Sequence, residues 1–189
     1  MAQLYIAAIP DSPPGVLRDP ARQAYVEATA HEGLRRQRYY AWKLLEYGLR
    51  HSLGLEPESI TFYRDPLGKW GCENCFFSLS HTDGAVAVAI SDRAVGVDLE
   101  KSDRRISAHF ETHLTDRERA VCEALPVQEQ RPFLLSRWCA KESLYKTGNY
   151  APFRQLETDG VCTGTLRLGS TDYTWAVTEK ATLHTDICL

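Results

Sequence analysis

From residue 75 to residue 100 the chain reads CFFSLSHTDGAVAVAISDRAVGVDLE, and this stretch decides the fold. Two apolar runs, 75–80 and 85–90, flank His81-Thr82-Asp83-Gly84. Asp-Gly between such runs is a strong hairpin signal. After a second turn at Ser91-Asp92, residues 94–100 are expected as a third strand. Upstream, residues 3–9 alternate and lean towards β, and 10–15 form a loop. Residues 20–53 then read as one long helix, with Leu34, Tyr39, Leu44, Leu45 and Leu49 as its buried stripe. The basic residues Arg35, Arg36, Arg38 and Lys43 interrupt that stripe. Residues 60–63 are expected as a short strand, and 64–71 as a turn-rich loop. Downstream, Thr115 with Glu118 three residues later forms a capping box that opens a helix. Pro126 stops this helix, and a second one runs over about 128–146. The tail, 161–189, is rich in strand and turn signals. The order is α+β, in two comparable halves that meet near residues 90–94, giving lobes 1–93 and 94–189 in one compact unit.

The 189 residues carry a net charge of −3, so nothing points to a nucleic-acid or anionic-membrane partner. No stretch approaches the roughly 18–20 uninterrupted apolar residues of a membrane helix. The N-terminus lacks the basic start and long apolar run of a secretion signal, so a cytoplasmic location is expected. Of six cysteines only Cys72 and Cys75 lie close in sequence, as Cys-Glu-Asn-Cys. A zinc site wants a second Cys or His pair, and His81 is the one nearby candidate. The expectation is reduced thiols, with structural zinc or a redox pair as the alternatives.

The chemistry gathers in a few segments. On a strand, Asp98 and Glu100 point to the same face, where two carboxylates repel each other unless a positive charge lies between them. A hard divalent cation answers that repulsion with oxygen ligands. In Arg137-Trp138-Cys139-Ala140-Lys141-Glu142-Ser143-Leu144-Tyr145-Lys146, Glu142 can supply a third oxygen, while Lys141 and Lys146 offer charge for a phosphate. The plain alternative is an i,i+4 Glu–Lys surface pair. His81 sits at a strand end beside hydroxyls, and Lys69 follows Gly68 on a loop next to Trp70. Each is a weak signal alone.

Taken in order, the basic helix, Gly-Lys loop, Ser-Leu-Ser-His, Gly-Val-Asp-Leu-Glu and Trp-Cys-Ala-Lys-Glu-Ser-Leu-Tyr-Lys segments resemble the 4′-phosphopantetheinyl transferase superfamily, in particular its monomeric two-lobed class. The resemblance covers residues 32–150 and is strongest over 76–100 and 137–146. It implies two similar pseudo-symmetric α/β lobes with the active site between them. The implied reaction moves the phosphopantetheine arm of coenzyme A to a serine of an apo acyl or peptidyl carrier protein, releasing 3′,5′-ADP. Such carriers serve fatty-acid, polyketide or nonribosomal-peptide synthesis. By the same resemblance Asp98, Glu100 and Glu142 look like magnesium ligands, and Lys69, Ser80 and His81 like coenzyme A phosphate contacts. Lys141 and Lys146 match lysines near the pyrophosphate, and Arg36, Arg38 and Lys43 lie where basic residues surround the 3′-phosphate. Asp98, Glu142 and Lys146 form the implied catalytic set. The proton acceptor is Glu142, directly or through water, or a metal-bound water. Arg104, Arg105 and Arg117 with Phe110 are candidates for the carrier-facing patch. Two departures stand out: Trp70 where many members have proline, and Cys139 where serine or threonine is common. The rival readings are a magnesium-dependent pyrophosphate hydrolase and a silent relative that binds coenzyme A or a carrier protein.

Overall fold

Every residue of strand β5 (Ala85–Ser91) is buried, and its two faces differ. Val86, Val88 and Ile90 point to one side, while Ala85, Ala87 and Ala89 point to the other. The period of two in a strand thus sorts large side chains towards a helix and small ones towards a second sheet. In this computed structural model, which describes residues 1–106 and 108–189, that sorting organises the molecule.

The first sheet has the order β4-β5-β1-β9, where β1 is Ala2–Ala8, β4 is Phe76–Thr82 and β9 is Ala181–His184. β1 is antiparallel to β5 and parallel to β9, so residues from near the end of the chain close the edge of the sheet that begins it. Over one face lies α2 (Glu32–Leu53), which buries Leu44, Leu45 and Leu49 with Tyr39, Tyr40 and Trp42. Gly48 allows a close approach: a Cβ there would stand 2.8 Å from Ile90 and 3.1 Å from the Tyr5 ring. The alanine face of β5, with Leu4 and Ile6 of β1, packs against the second sheet. That sheet has the order β6-β8-β7, from Val97–Lys101, Thr171–Val177 and Cys162–Leu168. Behind it lies α4 (Val127–Lys146), whose Leu135, Cys139 and Ala140 pack on Ala176. The layers therefore run helix, sheet, sheet, helix.

The hairpin turns at Asp83-Gly84 as expected, with Gly84 at φ +81°. The capping box is present: Thr115 and Glu118 hold each other's backbone amides at the start of α3 (Asp116–Ala124). The long N-terminal helix differs from expectation. It is two helices, α1 (Pro20–Glu27) and α2, because the His31 side chain caps Leu34 N–H at 3.2 Å and starts a new helix. The 64–71 loop also contains part of a small hairpin, β2 (Phe62–Arg64) with β3 (Trp70–Cys72). All six cysteines are free thiols. No helix among the described residues is long and apolar enough to cross a membrane.

One glycine locks α4 onto β6. A Cβ on Gly96 would fall inside the Ser143 backbone, with the carbonyl carbon at 2.8 Å and the carbonyl oxygen closer still. Gly96→Ala must therefore push the helix off the sheet. The expected loss is about 2–3 kcal/mol, a drop of roughly 5–10 °C in melting temperature. Thermal unfolding followed by circular dichroism checks this, and an unchanged midpoint would refute the close contact.

Candidate functional site

The two sheets do not join through a backbone ladder. Ser78 and Ser80, two residues apart on β4, face the same way and present their hydroxyls to β6. Ser78 Oγ accepts from Val97 N–H at 3.1 Å, and Ser80 Oγ accepts from Leu99 N–H at 3.1 Å. Ser80 in turn donates to Asp98 Oδ1 at 3.0 Å. Lys146, at the end of α4, reaches the same point. Its ammonium bonds Val97 O at 2.9 Å, Asp98 Oδ1 at 2.8 Å and Ser80 Oγ at 3.2 Å. Strand, strand and helix thus meet on one buried carboxylate.

Beside this junction opens a cavity of about 460 Å³. Its lining includes Arg22, Arg38, Lys69, His81 and Lys146, and no acidic residue. Arg22 and Arg38 crowd the Tyr25 ring, at 4.9 and 4.5 Å, and Arg64 approaches it at 4.7 Å. Burial, with Arg38 and Arg64 adding repulsion, pulls the Arg22 guanidinium down to about 10, against the upward effect of Tyr25. The Nε–H groups of Arg22 and Arg38 and the Trp70 indole N–H are buried without a hydrogen-bond partner. Burial also lowers Lys69, whose ammonium donates to Lys146 O at 2.5 Å at the carbonyl end of α4. His81 Nδ1 pairs with Gln37 Oε1 at 3.0 Å; since an amide oxygen only accepts, the proton lies on Nδ1 and leaves Nε2 as the free acceptor. Burial first, then the charges of Lys146, Arg38 and Arg22, push this imidazole down to about 4. Such a surplus of buried donors and positive charge suits a polyanion.

The three acids lie on the far side of Lys146. Asp98 is buried, and its Oδ2 has no hydrogen-bond partner. Burial first, then the charge of Asp98, raises the Glu142 carboxyl, so these two acids are close enough to repel. Glu100 instead forms an ion pair with Arg104, whose guanidinium also approaches the rings of Phe110 and Trp138 at 5.7 and 5.8 Å. Among the described residues no three His, Cys, Asp or Glu side chains stand close enough together to hold a metal ion. In this state Lys146 pairs with Asp98 and Arg104 with Glu100.

Not every residue expected here lines the cavity. Arg36 turns to Pro10 O and lies 3.7 Å from Asp11, and Lys43 pairs with Glu46 at 2.5 Å. Of the three residues of α2 expected there, Arg36, Arg38 and Lys43, only Arg38 lines the cavity. Lys141 is the clearest difference. It is 1% exposed and bonds Glu118 at 2.7 Å, Phe153 O at 2.9 Å and Leu156 O at 2.7 Å. Its three protons are used, one helical face away from the cavity, and it pins α4 to α3 and to residues 153–156. Arg22, Tyr25 and Tyr150 were missed by reading the sequence. They come into view once the 20–53 segment breaks, because α1 folds back and Arg22 donates to Arg38 O at 2.8 Å. The signal was Asp19-Pro20, an N-cap followed by proline at the first helical position.

Comparison with known families gives one result: residues 94–184 match the family model of the 4′-phosphopantetheinyl transferase superfamily. This span holds the three acids, both lysines of α4 and the whole second sheet. No curated protein matches the chain.

The two lysines of α4 can be told apart. Lys141→Met would leave Glu118 buried without its ion pair, a loss of about 3–5 kcal/mol; affinity of the folded fraction for a phosphate-bearing probe of the cavity, which Lys141 does not line, should be unchanged. Denaturant titration with calorimetry checks both. A stable Lys141→Met protein that had lost affinity would overturn the structural role. The low value for His81 has its own consequence. The unfolded imidazole takes up a proton near 6.5, while the folded one resists until about 4. Stability should therefore fall as pH drops between these values, and His81→Asn should flatten that slope in unfolding experiments run across the window.

Proposed function

We propose that this chain, whose residues 94–184 carry a domain of the 4′-phosphopantetheinyl transferase superfamily, transfers the phosphopantetheine arm of coenzyme A to a serine of an apo carrier protein. The observation that carries the reading is the cavity that collects four cationic side chains and no acid, with Asp98 and Glu142 on the far side of Lys146. Coenzyme A brings a pyrophosphate and a 3′-phosphate, and this lining offers matching charge. Arg22 and Arg38, with spare buried Nε–H donors, are suited to a phosphate monoester. Lys69, Lys146 and His81 are suited to the pyrophosphate, and Ser80 steadies Lys146. Tyr25 and Trp70 line the same space and offer flat apolar surface for the adenine. In the two-lobed reading the first half supplies most of the walls and the second half supplies Tyr145, Lys146 and Tyr150.

The acids fit a small hard cation such as magnesium. Asp98 Oδ2 is a buried anionic oxygen without a partner, and Glu142 is held above its usual range partly by Asp98. Asp98 and Glu142 would hold the ion, with Glu100 joining once released from Arg104. When bound, it would supply charge neutralisation and Lewis acidity at the pyrophosphate. The chain's own groups do the rest. Lys146 and Lys69 orient the phosphates, and transfer of this kind depends chiefly on positioning and electrostatics. The carrier serine oxygen attacks the β-phosphorus, its proton passes to Glu142 directly or through water, and 3′,5′-ADP leaves with the bond electrons. Arg104, Arg105 and Arg117 would meet an acidic carrier surface, whereas Phe110 is buried beside Arg104 and does not face out.

The decisive experiment is the intact mass of an apo carrier protein after incubation with this protein, coenzyme A and magnesium. A magnesium-dependent gain of one phosphopantetheine arm is expected. Asp98→Ala and Glu142→Ala should each abolish the gain with the fold retained. Arg22→Gln should raise KM for coenzyme A by roughly 10-fold, the scale of one charge-assisted hydrogen bond, and leave kcat within about twofold. Coenzyme A cleaved without a carrier, or near-normal turnover by Asp98→Ala, would overturn the assignment.

A further inference from the structure

The turn that joins β3 to β4 carries Cys72 and Cys75, with their Sγ atoms 3.7 Å apart. Among the described residues this is the one sulfur–sulfur contact; Cys122, Cys139, Cys162 and Cys188 stand alone. Cys72 is buried, its sulfur lies 3.5 Å from Cys75 O, and either sulfur can donate in the contact between the two. Hydrogen bonds from the Cys75 thiol and from nearby backbone N–H groups favour Cys72 as the thiolate of the pair. The hydrogen bond from Cys75 is the leading cause, and Cys72 is held at about 6 against the opposing effect of burial. Cys75, which donates that bond and is itself half-buried, is pushed up. One sulfur is thus poised as nucleophile and its neighbour kept as thiol. No step of the proposed transfer uses either.

We propose that Cys72 and Cys75 form a redox-active dithiol that peroxides convert into a disulfide. The Cys72 thiolate attacks a peroxide oxygen, the O–O bond breaks, and the departing oxygen takes up a proton and leaves as water or alcohol. Cys72 is then a sulfenic acid. The Cys75 sulfur attacks it, the S–S bond forms, the S–O bond breaks, and the hydroxyl leaves as water with the Cys75 proton. Two thiols lose two electrons and one peroxide gains them. The geometry asks little: the sulfurs must close from 3.7 Å to about 2 Å within one turn.

The position of this turn gives the reaction a reach. Trp70 lies two residues before Cys72 on β3, and Phe77 lies two residues after Cys75 on β4; both line the cavity. Both rings also pack on Trp42, at 5.3 and 6.4 Å between centroids. Drawing the turn together moves the two strands that carry these rings. Disulfide formation stands apart from the reading of the cavity as a coenzyme A site; only the effect on ligand binding rests on that reading.

The test uses the wild-type protein, treated briefly with hydrogen peroxide, quenched with catalase, denatured, alkylated with a maleimide and mapped by mass spectrometry. Cys72 and Cys75 should be recovered as a linked, unalkylated peptide that dithiothreitol restores, while Cys162 and the exposed Cys188 are still alkylated. In Cys75→Ser, dimedone should trap Cys72 as sulfenic acid. Alkylation of Cys72 and Cys75 as complete as that of Cys188, or oxidation of Cys188 first, overturns the proposal. In parallel, calorimetry with 3′,5′-ADP should show several-fold weaker binding to the oxidised wild type and no change on treating Cys75→Ser. Unchanged affinity in the disulfide form overturns the link to the cavity. A reduced protein that does not bind 3′,5′-ADP at all counts against the coenzyme A reading and leaves the mapping result to decide the dithiol.

Discussion

The structure depends on two serine hydroxyls. Where β4 passes β6 no backbone ladder forms, and Ser78 and Ser80 accept the amides of Val97 and Leu99 instead. A buried amide left unpaired costs about 1–3 kcal/mol, so these oxygens are as necessary as any ladder bond. They also do something a ladder bond does not. Ser80 keeps its proton free to reach Asp98, and this fixes the carboxylate at the point where Lys146 arrives from α4. Joining the sheets and orienting the charged centre are one event.

Charge is divided along that seam. On one side lie cations in excess, two of them guanidiniums against the same aromatic ring; on the other lie acids in excess, one with an oxygen that meets nothing. Lys146 stands between and belongs to both. An arrangement in which neither side is neutral by itself is costly to bury. The substrate proposed above, a pyrophosphate bound together with a divalent cation, would relieve it. The same helix carries Lys141, chemically identical and five residues away, in the opposite circumstance: paired, saturated and shut off from solvent.

How much of this was legible beforehand followed the range of the interactions involved. Signals carried within a few residues were read correctly: the Asp83-Gly84 turn, the Thr115–Glu118 capping box, the stop at Pro126 and the pairing of Asp98 with Glu100 on one face. The break between α1 and α2 was hidden because a histidine cap has no strong signature, and missing it concealed Arg22. The inward residue among Arg36, Arg38 and Lys43 depended on the rotation of α2, which is set by the packing of Gly48 on Ile90 and Tyr5 from distant strands. Lys141 could not be separated from Lys146 by motif, because its partner Glu118 already had a complete local explanation as a capping residue. Only the fold shows that Glu118 serves both.

The placement of β9 bears on how the chain comes to be folded at all. β1 lies between β5 and β9, and its partner Ala181–His184 follows it by about 180 residues of chain. During synthesis the first sheet can assemble early from β1, β4 and β5, but one flank of β1 keeps its amides and carbonyls open until residue 184 has left the ribosome. Contacts that span nearly the whole chain are slow to form, and an unpaired strand flank invites pairing with another nascent molecule. That flank of β1 is therefore where the folding chain is most open to mispairing until β9 takes its place, independently of how stable the finished fold is.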